Sequence, residues 1–67
     1  MSATDDRFPI QSGRTMLNII EALWTLDEAT ITELAEEVDI SKSSAYNHVK
    51  TLQNSGYIRR EGSSYRL

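Results

Sequence analysis

The stretch TITELAEEVDISKSSAYNHVKTLQNSGYIRREGSSYRL, residues 30–67, decides the fold. It opens with two helices joined by a tight turn. In the first, Ile31, Leu34, Ala35 and Val38 fall on one stripe at helical spacing, and Glu33, Glu36 and Glu37 take the solvent side. Thr32 is the expected N-cap of a helix over 33–38, with β-prone Thr30 and Ile31 forming a stub of strand before it. Asp39 and Ile40 make the turn, because aspartate is one of the few non-glycine residues that tolerate a left-handed backbone. Ser41 then caps a helix over 41–55 that Gly56 stops. Its inward stripe is Ala45, Val49 and Leu52, with His48 beside it as a half-buried packing residue.

Downstream, residues 57–61 read as a strand, Gly62-Ser63 suits a two-residue turn with glycine first, and residues 64–67 return. That register pairs 58 with 67, 59 with 66 and 60 with 65. It sets Ile58, Tyr65 and Leu67 on one face and puts Arg59 and Arg66 side by side on the other. Tyr57 and Tyr65 are expected in the root of the hairpin, and Arg60 either meets an anion or covers Tyr65 with its stem.

Upstream, Ser12 is a suitable cap for a helix over 13–26 whose apolar residues Met16, Ile19, Ile20, Leu23 and Leu26 keep helical spacing. Leu17 and Trp24 widen that face to about half the circumference. They either close the core over the hairpin or form the seam of a dimer. Residues 1–9 are a polar, acidic, flexible tail with no signal-peptide pattern, and residues 10–67 are one domain. The fold class is mainly α with a small β-hairpin: three helices plus a two-stranded wing.

Composition narrows what such a domain does. A chain of 67 residues buries only roughly 60% of its unfolded surface, so it needs a well-packed core or a partner. Without cysteine there are no disulfides or thiolate metal sites, and a single histidine does not make a zinc cage. No apolar run approaches the roughly 20 residues of a membrane span, which points to the cytoplasm. No paired-carboxylate cleft, nucleophile–base set or glycine-rich phosphate loop is present, so the expectation is no enzyme, no cofactor and no small-molecule site.

The net charge of −3 hides an asymmetry. Residues 1–40 carry 2 basic and 9 acidic side chains, a net of −7; residues 41–67 carry 5 basic and 1 acidic, a net of +4. From Ser41 to Gly62 the only acid is Glu61. Carboxylates repel phosphates, so a segment without them suits a polyanion. Two short helices about a tight turn form a helix-turn-helix, whose second helix lies in the major groove of duplex DNA.

Here that helix turns Lys42, Ser43, Ser44, Tyr46, Asn47 and Lys50 outward. Asparagine bonds an adenine edge, serine donates or accepts, lysine reaches guanine or phosphate, and tyrosine offers a hydroxyl and a ring. Arg59, Arg60 and Arg66 on the wing would hold backbone phosphate or enter the minor groove. Thr32, at a helix N-terminus, would hold a further phosphate. A different reading makes the acidic half, with Glu33, Glu36 and Glu37, a docking face for a basic protein.

These residues resemble the winged helix-turn-helix DNA-binding domain of the IclR family of transcription regulators. The pieces ELAEEV (33–38), SKSSAYNHVKTL (41–52), GYI (56–58) and YRL (65–67) carry the resemblance, and PIQSGRTMLNIIEAL (9–23) is similar to the family's first helix and lead-in. It implies a homodimeric regulator with a C-terminal small-molecule-sensing domain, which these residues do not contain. Asp39 stands where the family usually has glycine. Asn47 stands where many members have arginine, so their contact there is not carried over. The acidic first half resembles versions from salt-loving archaea, which would reconcile DNA binding with a negative total.

Overall fold

The computed structural model describes residues 10–67. The tail expected over residues 1–9 lies outside the described residues. Three helices, α1 (Ile10–Leu26), α2 (Ile31–Val38) and α3 (Lys42–Asn54), precede an antiparallel hairpin of β1 (Arg59–Glu61) and β2 (Ser64–Arg66). This is the expected winged arrangement.

The first helix begins earlier than its sequence signal. Ser12 lies inside α1 rather than capping it. Gln11 is a good helix former, and Gly13 costs about 1 kcal/mol in a helix without stopping it. Helix α2 also starts earlier, and here the cap is visible. Thr30, not Thr32, is the N-cap: its Oγ1 accepts from the Glu33 N–H (3.1 Å), and Glu33 Oε1 accepts from the Thr30 N–H (2.9 Å). Thr30 has an acid three residues on and Thr32 does not, so the reciprocal capping box forms only at Thr30. The strand stub shrinks accordingly to one bridge just before the cap. Ala29 and Tyr65 exchange both backbone hydrogen bonds, at 3.0 and 2.8 Å, and this pins β2 to the body.

The turn between α2 and α3 is left-handed at Asp39 (φ 63°, ψ 53°), as its residue type allows. The Ile40 N–H reaches back to the Ala35 carbonyl, and Ile40 packs on the core. Helix α3 is capped by Ser41, whose Oγ accepts from the Ser44 N–H at 3.1 Å. It ends in a Schellman motif: Gly56, at φ 86°, donates to Gln53, and Tyr57 donates to Leu52.

The three helices converge on Ile19, Leu23, Leu34, Val49 and Leu52, and Ala29, Ile58 and Tyr65 close the core from the hairpin side. The stripes expected on α2 and α3 face inward, and His48 is half-buried. Helix α1 differs at its edges: Leu26 is partly exposed, Leu17 is 61% exposed and Trp24 79% exposed. Neither Leu17 nor Trp24 closes the core over the hairpin; Ile19, Ala22 and Leu23 are the residues of α1 that are buried. Tyr57 is a further correction. It is 65% exposed rather than part of the wing root, since it follows the left-handed Gly56 and precedes the first paired residue of β1. Among the described residues no helix is long and apolar enough to cross a membrane.

Candidate nucleic-acid interface

Helix α3 buries Ala45, Val49 and Leu52, and this orientation turns Lys42, Ser43, Tyr46, Asn47 and Lys50 to solvent. Tyr46 keeps nearly half of its surface exposed. Ser44 is different: it is half-buried, and its backbone N–H serves the Ser41 cap, so it stands at the border of the flank. Among the described residues Lys42 and Lys50 form no ion pair, and the Asn47 amide and Tyr46 hydroxyl form no hydrogen bond. These groups stand uncommitted on one exposed surface.

Two residues of this flank escape a reading that stops at Lys50. Thr51 and Asn54 lie four and seven positions beyond Asn47 and are both exposed. Thr51 Oγ1 donates to the Asn47 carbonyl at 3.1 Å. Their helical spacing from Asn47 was the available signal.

The hairpin has the expected register, Arg59↔Arg66, Arg60↔Tyr65 and Glu61↔Ser64, about a turn in which Gly62 takes φ 65°, but the ladder stops before the expected pair of 58 with 67. Its arginines are less free than the pattern alone suggests. Alternation places Glu61 on the face of Arg59 and Arg66. Its carboxylate pairs with both, Oε2 at 3.5 Å from Arg59 Nε and Oε1 at 3.5 Å from Arg66 Nη1. Arg66 Nη2 lies 3.7 Å from Asp27 Oδ1, at the left-handed end of α1. Arg60 is exposed, and its Nε donates to the Gly62 carbonyl at 2.8 Å, bracing the turn.

Thr32 is exposed in the first turn of α2, but the anion position there is already occupied by Glu33, bonded to the Thr30 N–H. Leu17 and Trp24 share an exposed flank of α1, seven residues apart.

Comparison with known proteins agrees with this geometry. Residues 16–62 match the model of the IclR helix-turn-helix domain. The chain belongs to the IclR helix-turn-helix family. It is 36% identical over 55 residues to the HTH-type transcriptional regulator KdgR of Dickeya chrysanthemi, covering 82% of this chain and 18% of that protein. It is equally similar to the regulator of the same name from Escherichia coli strain K12, of which it covers 21%. The chain thus spans about a fifth of the length of these curated relatives. No solved structure matches.

Proposed function

We propose that this chain is the DNA-reading domain of a cytoplasmic transcription regulator. Helix α3 lies in the major groove, and the wing rests on the backbone or in the minor groove. The observation that carries this reading is the acid-free flank of α3, on which the Asn47 amide, the Tyr46 hydroxyl and the Lys42 and Lys50 ammonium groups are exposed and unengaged among the described residues. Asn47 and Tyr46 are suited to base edges; Lys42, Lys50 and Ser43 to phosphate or guanine; Ser44 to the border of the contact. Arg59, Arg60 and Arg66 meet the backbone from the wing, and the Thr32 hydroxyl supplies a flanking phosphate contact in competition with Glu33. No reaction, cofactor or metal is assigned to these residues.

Two copies paired through the exposed Leu17 and Trp24 would present their α3 helices to half-sites about 34 Å apart, or a multiple of it. Selection of bound duplexes from a random pool, at several salt concentrations, tests both parts. The expected result is an enriched motif with paired half-sites. An enriched single half-site removes the dimer, and no enrichment of any duplex removes the reading in favour of the acidic face as a protein-docking surface. In the same selection Asn47→Ala should change the preference at one position, at an expected cost of about 1–3 kcal/mol. An unchanged motif would deny Asn47 a base-reading role.

The acidic excess of residues 1–40 suits a cell with high internal salt, as in salt-loving archaea, because screening relieves repulsion among close carboxylates. Thermal unfolding should then move upward as potassium chloride rises from low to molar concentration. A flat or falling midpoint would contradict that adaptation.

A further inference from the structure

The register of the hairpin creates an electrostatic problem. It sets Arg59 directly opposite Arg66, and like charges in a cross-strand pair repel. The chain carries its own counter-charge at the next position on that face. Glu61 reaches both guanidinium groups at 3.5 Å, one carboxylate oxygen to each. Asp27 reaches Arg66 at 3.7 Å from the end of α1. Arg66 Nε is buried without a hydrogen-bond partner, and its Nη1 and Nη2 are the atoms that meet carboxylates. The wing is therefore a two-arginine anion clamp, and an internal carboxylate occupies it.

We propose that Glu61 is a resident competitor for DNA phosphate: it holds the Arg59–Arg66 clamp in the free protein and surrenders it when a phosphate diester arrives. This rests on the reading of the chain as a DNA-binding domain. The pairs are well suited to exchange. The side chains of Arg59 and Glu61 are 67% and 47% exposed and that of Arg66 33%, and pairs at such a surface contribute little individually and weaken with salt. DNA presents a dense row of phosphates against one carboxylate, so the exchange favours DNA, while Glu61 lowers the net gain. Because phosphate contacts carry no sequence information, Glu61 restrains binding to every duplex alike. It leaves selection to α3.

The test compares the full chain with Glu61→Gln, which keeps size and one acceptor oxygen and removes the charge. Glu21→Gln, an exposed acid on α1, removes the same charge elsewhere. Each is titrated by fluorescence anisotropy into a duplex of arbitrary sequence over a salt series, and each is eluted from heparin. Glu61→Gln should bind the duplex up to about fivefold more tightly at low salt, the upper range for one exposed ion pair. Its log affinity should fall more steeply with log salt, by up to about 0.9. It should also leave heparin at higher salt than both the parent and Glu21→Gln.

Equal effects of the two substitutions would reduce Glu61 to net charge and overturn the proposal. Weaker binding by Glu61→Gln would overturn it too, making Glu61 an aligner of the arginines. If no form binds duplex at low salt, the DNA reading fails. The competitor for DNA phosphate falls with it, and heparin decides what is left: later elution of Glu61→Gln than of Glu21→Gln keeps Glu61 as a competitor for some other polyanion, and equal elution ends that role too.

Discussion

Leu34→Ala should lower the thermal midpoint by roughly 8–40 °C and leave a measurable unfolded fraction at room temperature. Leu34 is fully buried in α2, where the three helices converge. Truncation of a buried leucine to alanine costs about 2–5 kcal/mol, because the lost contacts leave a cavity that relaxes only in part. A chain of this length has a total stability of only about 3–10 kcal/mol. In a domain this small each kcal/mol moves the midpoint by about 4–8 °C. Trp24→Ala is the proper contrast. It removes more atoms from a residue that is 79% exposed, so the monomer should lose less than about 0.5 kcal/mol. Circular dichroism during heating and in urea measures both. A Leu34→Ala midpoint within about 4 °C of the parent, or a larger loss from Trp24→Ala, would mean the core has been placed wrongly.

The parts of this fold that were legible in the sequence are those set by local chemistry. The stripes Leu34–Ala35–Val38 and Ala45–Val49–Leu52 state which sides of α2 and α3 face inward, and the acid-free flank of α3 follows from them. Asp39 and Gly56 mark left-handed stops, and Gly62-Ser63 fixes the hairpin register. Thr30 shows how a local signal is misread. Two threonines compete for one cap, and the acid at position 33 decides between them, because only a residue three positions before it closes the reciprocal box.

What was not legible depends on tertiary neighbours. Helical spacing marks Leu17 and Trp24 as apolar-face residues, but the core takes only Ile19, Ala22 and Leu23 from α1 and leaves both of them in solvent. Tyr57 has a strand-like neighbourhood and yet stands in solvent after the Gly56 turn. Arg66 reads as a free wing arginine until the bridge of Tyr65 to Ala29 brings the end of α1, with Asp27, alongside it. Glu61 lies between these cases. Strand alternation places it on the arginine face, but only the geometry gives its carboxylate one oxygen for each guanidinium.

Lys50→Glu should weaken binding to every duplex by roughly 30–150-fold, about 2–3 kcal/mol, without unfolding the domain. Lys50 stands on the exposed flank of α3, one turn beyond Tyr46 and Asn47, and it forms no ion pair among the described residues. Its loss therefore leaves no buried charge stranded. An acid there meets only a modest penalty from the helix dipole, about 0.3–1 kcal/mol. Binding is affected differently. A lysine on a phosphate releases a counterion, so its neutral replacement should flatten the slope of log affinity against log salt by about one unit. Reversal of the charge adds repulsion at the centre of the contact, which is why the loss should exceed that of Lys50→Ala. Anisotropy titrations on two unrelated duplexes separate the outcomes. An equal loss on both assigns Lys50 to the backbone, whereas a loss confined to one makes it a reader of guanine. Undiminished binding to both, with the fold intact, would move the DNA contact off α3 altogether.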